Sequence, residues 1–419
     1  TNSKINMFII YQLIVSLLLI FSPIIILIRV IKNKEDKIRF KEKFCFISKE
    51  RKQGKLIWFH GSSVGEIMSI LPIINEYEKK KSINTILITS STLSSSKILQ
   101  KLKFKKVIHQ FYPIDHIFFS KKFLNYWKPS KAIFLESEIW PSMFKSLKIK
   151  NIPLILLNAR ITKKTYSRWQ KLGKFSHSIF NQINIAYPQN SDTKKFLKKL
   201  NVKKIDLIGN LKFIGNNKLI KKKNEKNLLK SFNKYKTFVA ASTHNTEEVF
   251  VAKSHLILKK KYKNFITIII PRHIHRKNEI INQLQHLNLK VVAHSSKNKN
   301  LKNIDIYLVD TFGDSKHFYQ ITNTVFLGGS IINHGGQNPL EPARFGTKIL
   351  HGPNIDNFKE VYKYLRFLKI SKEVRNPSEI VKNIKFKKNI KKVSKINYLG
   401  KIILKKTLKE LDKPINNEL

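Results

Sequence analysis

Residues 56–80 read LIWFHGSSVGEIMSILPIINEYEKK, and the order of residue types in them decides the fold. Leu56–His60 is a short apolar run bounded by turn residues, which predicts a buried strand. A Gly/Ser turn follows, and Glu66–Lys80 predicts a helix. The same succession recurs along the chain. Strands are expected at Thr85–Thr89, Lys131–Leu135, Pro153–Leu157, Ile183–Ala186 and Ile205–Ile208, with helices between them. A polar Lys/Asn-rich stretch interrupts the pattern after Gly215. It restarts with strands at Thr237–Ala241, Phe265–Ile270, Lys290–Ala293, Ile304–Val309, Thr324–Leu327 and Lys348–His351. A helix is expected to begin at Pro339–Phe345, and the chain from Asn357 onward reads as mostly helical and basic. Alternation of this kind predicts two successive open α/β units with parallel sheets. In such sheets ligands bind beyond the carboxyl ends of the strands, so the strand-to-helix loops are where chemistry is sought.

The chain of 419 residues is long enough for two or three domains, and its 42% hydrophobic content supplies a core, which excludes a disordered basic tail. A single cysteine, Cys45, excludes an internal disulfide and a Cys-based zinc site. The formal net charge of +54 invites a nucleic-acid reading. Of the basic residues, however, 71 are lysine and 10 arginine, and they are dispersed. Base-reading surfaces favour the planar fork of arginine. No nucleic-acid partner is expected. The abundance of Lys, Asn and Ile matches AT-rich codons. The remaining charge points to an anionic membrane surface or a phosphorylated substrate.

Residues 7–30 are expected to form a transmembrane anchor. Met7–Ile28 carries no charge and is long enough to span a bilayer. Pro23 inside it is tolerated in membrane helices. The Lys-rich segment 31–43 places the following domains in the cytoplasm by the positive-inside rule, giving a single-pass membrane anchor.

Several loops carry polar groups at strand ends. In His60-Gly61-Ser62-Ser63-Val64-Gly65-Glu66, Ser63 and Glu66 have capping-box spacing. Glu66 is equally placed to act as a general base. Glu136 and Glu138 follow the strand Lys131–Leu135 in a chain poor in acids, where they either favour the next helix's N-terminus or do chemistry. Arg160 and Lys212 also lie at strand ends. In the second half, Glu247 and Glu248 follow Ser242-Thr243-His244, and Pro271-Arg272-His273-Ile274-His275-Arg276 offers an anion contact at Arg272. Asn338 is read as a helix N-cap, with Pro339 at N1 and Glu341 at N3, a helix start that also suits a phosphate. There is no Walker A sequence, no G-x-G-x-x-G fingerprint and no Asp-x-Asp pair, which disfavours ATPases, NAD enzymes and metal-dependent glycosyltransferases.

The blocks HGSSVGE, FYPIDH, FLESEIWP, NARIT, GNLKF, ASTHNTEE, PRHIHR, DTFGDS, GGSIINHGGQNPLEPARFG and GPNIDNF, in this order between about residues 58 and 358, resemble the 3-deoxy-D-manno-octulosonic acid (Kdo) transferases of lipopolysaccharide synthesis. The resemblance implies an α/β GT-B fold: two Rossmann-like domains with an interdomain cleft, plus the N-terminal anchor helix. It places an acceptor-side domain at 31–218, a linker at 219–236 and a CMP-sugar-binding domain at 237–419. It implies inverting transfer of Kdo from CMP-Kdo to a lipid A precursor, without a metal or other cofactor, beside the anionic lipids of the inner membrane. Glu66 matches the family's general base, and Glu136 and Lys212 match residues that stabilise the transition state. Pro271 and Arg272, Phe312, Gly313 and Asp314, and Asn338, Pro339, Leu340 and Glu341 match its CMP-binding segments. Asp314 stands where the family usually has glutamate. The alternatives are another GT-B nucleotide-sugar transferase acting on a lipid-linked acceptor, and a membrane-tethered nucleic-acid-binding protein.

Overall fold

The computed structural model describes residues 7–215, 225–296 and 300–415. The chain divides into two compact units, Thr1–Ile214 with Gly400–Leu419, and Gly215–Leu399.

The first unit opens with helix α1 (Met7–Ile31), one residue longer than the expected anchor. Strands and helices then alternate: β1 (Leu56–His60), α2 (Val64–Lys79), β2 (Thr85–Ser90), α3 (Leu93–Lys101), β3 (Val107–Phe111), α4 (Ile117–Trp127), β4 (Lys131–Leu135) and α5 (Pro141–Ile149). They continue with β5 (Leu154–Ala159), α6 (Lys163–Gln170), α7 (Lys174–Phe180), β6 (Ile185–Pro188) and α8 (Ser191–Lys199). The six strands are parallel in the order β3-β2-β1-β4-β5-β6, the Rossmann order. Strands β1, β2 and β5 are buried at every position, so they read as continuous apolar runs rather than alternating ones. Trp58 centres the core, with Phe123 and Phe134 at 4.8 and 5.0 Å between ring centroids.

The second unit is again a parallel α/β sheet, with one more strand and with β10 set between β8 and β9. Its elements are α9 (Glu225–Ser231), β7 (Lys236–Thr243), α10 (Glu247–Lys261), β8 (Phe265–Pro271), α11 (Lys277–Gln285), β9 (Val291–Ala293), β10 (Ile306–Leu308) and α12 (Ser315–Ile321). There follow β11 (Thr324–Leu327), α13 (Leu340–Ala343), β12 (Lys348–His351), α14 (Lys359–Phe367), β13 (Ser371–Glu373), α15 (Pro377–Asn383) and α16 (Ile390–Asp412). Seven parallel strands run in the order β13-β12-β11-β7-β8-β10-β9. Phe238, Ile269, Phe326 and Leu350 lie at the centre of this second core.

Some boundaries differ from the sequence reading. The C-terminal domain was expected to run to 419, but α16 leaves the second unit at Leu399, and from Gly400 the chain belongs to the first. There, Ile403 packs on Gly209 and the Lys131 ammonium donates to the Leu411 carbonyl at 2.7 Å. The expected linker 219–236 falls partly, at 219–224, outside the described residues. The rest of it is the helix α9, a helical turn at Phe232–Lys234 and the first residue of β7. Ile205–Ile208 is no strand and makes one bridge, Ala186 to Ile205. Strands β3 and β13 were unforeseen. In β3 the sequence VIHQF hides its polar residues by pairing them: His109 meets Ser90 Oγ at 2.9 Å, and the Trp127 indole N–H donates to Gln110 at 2.9 Å.

Candidate active site

In the first unit the loop after β1 is a capping box. Ser63 N-caps α2, its hydroxyl accepting from the Glu66 N–H at 3.3 Å and donating to Glu66 Oε1 at 2.9 Å. Glu66 Oε2 accepts from the Ser62 N–H at 2.7 Å and, more weakly, from the Ser63 N–H at 3.5 Å. The cap therefore orients a carboxylate at the carboxyl end of a central strand. Burial, with repulsion from Glu138 and Glu136, pushes the Glu66 carboxyl up to about 7, against the lowering effect of its hydrogen bonds. Glu66 is thus half ionised near neutral pH, where a general base works best.

Glu136 follows β4 in the left-handed region, with φ of 50°. Such a conformation costs about 1–3 kcal/mol for a residue with a Cβ and tends to gather at functional sites. The residue is buried, and its carboxylate lies 3.2 Å from the Lys212 ammonium and accepts from Asn158 Nδ2 at 3.4 Å. Asn158, also left-handed (φ 53°), fixes the Lys212 turn by accepting the Leu211 N–H at 3.1 Å. Glu66, Glu136 and Lys212, expected to act together, are gathered at one end of this sheet. The Arg160 backbone N–H closes the group by donating to the Glu136 carbonyl at 3.0 Å.

Glu138, on the same loop, takes a different role. Its Oε2 accepts from Ser62 Oγ at 2.6 Å, the Trp140 indole N–H at 2.9 Å and His60 Nε2 at 3.2 Å. Burial alone would raise its carboxyl, but these bonds outweigh it and hold it below the usual range. The Trp58 indole N–H donates to Thr89 Oγ1 at 2.9 Å, and Thr89 Oγ1 lies 2.9 Å from His60 Nδ1. Facing an acceptor-only carboxylate, His60 Nε2 is the donor to Glu138. A carboxylate whose ionised form is favoured is thereby held beside Glu66 and raises it. Sequence reading saw Glu138 only as half of an acidic pair. The Thr89–His60–Glu138 chain links three separate segments and left no local signal.

Gly61 is required by this packing. A Cβ there would lie 2.8 Å from Leu135 Cδ1, 3.1 Å from Glu66 Cβ and 3.3 Å from Glu66 Oε2. Gly61→Ala is expected to displace the Glu66 carboxylate and lower kcat by about 10–100-fold, the scale of a misplaced reacting group. Steady-state kinetics beside a circular dichroism spectrum checks this: an unchanged kcat in a folded variant contradicts it.

In the second unit the expected nucleotide segments end β8, follow β10 and follow β11. Pro271 closes β8, and Arg272, exposed, donates its backbone N–H to the Thr243 carbonyl at 2.9 Å. Phe312 is 84% exposed, Gly313 is left-handed (φ 91°), and the buried Asp314 accepts from Thr311 Oγ1 at 2.6 Å. Helix α13 is shorter than expected and starts one residue later. Pro339 is its N-cap, while Asn338 Oδ1 accepts the Leu340 N–H at 3.1 Å. Glu341 pairs with Lys316 at 3.5 Å.

Two further features organise these loops. Glu247, fully buried, accepts four backbone N–H groups: His244 and Gly329 on Oε2 at 3.0 and 2.7 Å, Ser330 and Ile331 on Oε1 at 3.0 and 2.9 Å. It pins the glycine-rich turn after β11 to the loop after β7. Gly328 admits that contact, since a Cβ would stand 2.4 Å from the Ser242 carbonyl. Beside them His244 lies 4.5 Å from His334 and 5.5 Å from His273 between ring centroids. Its Nε2 is buried without a hydrogen-bond partner. Burial first, then the neighbouring His334, His273 and Arg272, depress it to about 4. Among the described residues no group of three or more His, Cys, Asp or Glu side chains is arranged to hold a metal ion.

Two parallel sheets of Rossmann type, each with its polar residues at the strands' carboxyl ends, define a GT-B protein. Solved structures agree on the fold: a UDP-N-acetylglucosamine 2-epimerase (TM-score 0.57, 12% identity, 88% of this chain and 99% of that one) and a glycosyltransferase from Rickettsia africae (TM-score 0.54, 12% identity, 87% and 100%). Residues 38–214 match the family profile described as 3-Deoxy-D-manno-octulosonic-acid transferase (kdotransferase). The chain is 34% identical over 379 residues to the 3-deoxy-D-manno-octulosonic acid transferase of Rickettsia bellii, with 90% of each covered. To that of Haemophilus influenzae it is 29% identical over 360 residues, with 84% of each covered. The chain belongs to the 3-deoxy-D-manno-octulosonic acid transferase family and is a glycosyltransferase of Kdo.

Proposed function

We propose that the protein transfers Kdo from CMP-Kdo to a lipid A precursor, lipid IVA, in lipopolysaccharide core synthesis, with inversion and without a metal. Glu66 takes the proton from the acceptor hydroxyl as that oxygen bonds to the anomeric carbon of Kdo and the bond to the CMP phosphate breaks. The products are the Kdo glycoside, CMP and a proton. Glu136, held by Lys212, offsets the positive charge that develops at the anomeric carbon. The departing phosphate meets Arg272 and the His244 cluster. Pro271, Phe312, Gly313, Asp314 and the segment Asn338, Pro339, Leu340 and Glu341 hold the cytidine and ribose. Asp314, one methylene shorter than the family's glutamate, is oriented by the Thr311 hydroxyl. Helix α1 keeps the enzyme on the cytoplasmic face of the inner membrane, among anionic lipids.

The observation that carries this reading is Glu66, a carboxyl oriented by its own helix cap and poised at about 7. A base must be deprotonated to act, so the transfer rate should rise with pH through about 7 and level above it. A pH–rate profile with saturating donor tests this. A rate independent of pH between 5.5 and 8.5, a span of roughly 1.5 units either side of that value, removes Glu66 as the base.

A further inference from the structure

Helix α1 has one stripe of low exposure along its length, on which Phe8, Tyr11, Val15, Ser22 and Ile26 recur at helical spacing. That stripe is bonded to the first unit. The Tyr11 hydroxyl donates to Asp115 Oδ2 at 2.7 Å. Gln12 Nε2 donates to Ser142 Oγ at 2.8 Å, and Gln12 Oε1 accepts the Ile117 N–H at 3.0 Å. Ser16 Oγ lies 3.3 Å from His116 Nε2, and the Lys145 ammonium sits 3.9 Å from the centre of the Phe8 ring. Asp115 is no loose surface group. It caps α5, accepting the Ser142 and Met143 N–H groups at 2.9 Å each. At the other end Arg29 pairs at 3.0 Å with the buried Glu35, which Lys43 also holds at 2.6 Å.

These contacts conflict with a bilayer crossing. Tyr11 and Arg29 are about 27 Å apart along a helix axis, close to the roughly 30 Å thickness of the hydrocarbon core. A spanning helix would carry them to opposite faces, yet both ends are fastened to one folded unit. Crossing would break the Asp115, Ser142 and Ile117 bonds and leave Gln12 and Ser16 unpaired in lipid. The opposite face remains apolar: Leu13, Leu17, Ile20, Ile24 and Leu27 are each more than half exposed. A patch of this extent on a soluble surface marks an interaction site. Phe118, 60% exposed, adjoins the Ile117 contact, and Lys32, Lys34 and Lys37 follow the helix directly. Aromatic and cationic groups at the rim of an apolar face suit anionic headgroups.

We propose that α1 is an in-plane membrane helix, docked on the first unit through Tyr11, Gln12 and Ser16, whose opposite face sinks into the cytoplasmic leaflet without crossing it. The proposal rests on the reading of α1 as membrane-binding and replaces the expected single-pass span. It is tested by topology, so that failure of the Kdo transfer reading would not affect it, nor the reverse. Variants Met7→Cys, Leu17→Cys and Ile31→Cys of the full chain, each adding one cysteine to the native Cys45, are placed in inverted inner-membrane vesicles and exposed to a membrane-impermeant maleimide. The native Cys45 is fully buried and contributes little background. The expected result is equal labelling at positions 7 and 31 and loss of labelling at 17 until detergent is added. Labelling at 31 with protection at 7 would establish a span and overturn the proposal. Equal labelling at all three positions would remove lipid contact altogether; a dimer by light scattering would then assign the face to a second copy.

Discussion

Replacing Glu66 by glutamine should reduce Kdo transfer by about 10²–10⁴-fold, the usual contribution of a positioned general base. Binding of CMP should be retained, because the residues assigned to it lie in the second unit. The variant should also fold. Glutamine keeps the side-chain oxygen that can accept from Ser62, and the raised carboxyl works against stability as pH increases. A group whose folded value stands above its ordinary one, here about 7 against 4.5, binds more protons when folded. Its stabilising contribution is complete below 4.5 and is lost as pH rises through 7. At pH 8, Glu66→Gln should therefore unfold at a temperature no lower than the parent. Transfer at the parental rate, or a collapsed melting profile, contradicts the assignment.

The second large effect is expected at Glu247. Glu247→Gln is nearly isosteric, but an amide nitrogen would replace one acceptor oxygen and face either the His244 and Gly329 or the Ser330 and Ile331 N–H groups. Two buried donors would lose their partner at about 1–3 kcal/mol each. The glycine turn and the loop carrying His244 should then separate. Calorimetric titration with CMP should show affinity reduced at least tenfold, equivalent to about 1.4 kcal/mol, with a lower unfolding midpoint. A variant that binds CMP and melts like the parent would show that the anchor is dispensable.

The sheets were legible because parallel strands are buried on both faces and stand out as unbroken apolar runs, as in Leu56–His60 and Phe265–Ile270. Strand β3 escaped because His109 and Gln110 are polar in sequence and satisfied only by partners far along the chain. The same limit hid where the end of α16 packs, since its apolar positions do not reveal which unit they meet. At the candidate site, the places of Glu66, Glu136 and Lys212 at strand ends were legible in the sequence, while the roles proposed for Glu136 and Lys212 come from the resemblance. Local spacing could not disclose that Glu138 is tied to His60 and Ser62, or that Glu247 is a bracket between two loops. Their roles depend on which oxygen meets which donor. The acidic residues proved more informative than the +54 charge, since each is scarce and most of those named here are bonded to specific groups.

The transfer reaction itself is the central property of this protein. Incubating the full chain with CMP-Kdo and a tetraacylated lipid A precursor, and reading the lipid product by mass, tests it most directly. The predicted result is an acceptor heavier by whole Kdo units, with CMP released in equal amount. An unmodified acceptor, or a product formed only with a different nucleotide sugar, would contradict it.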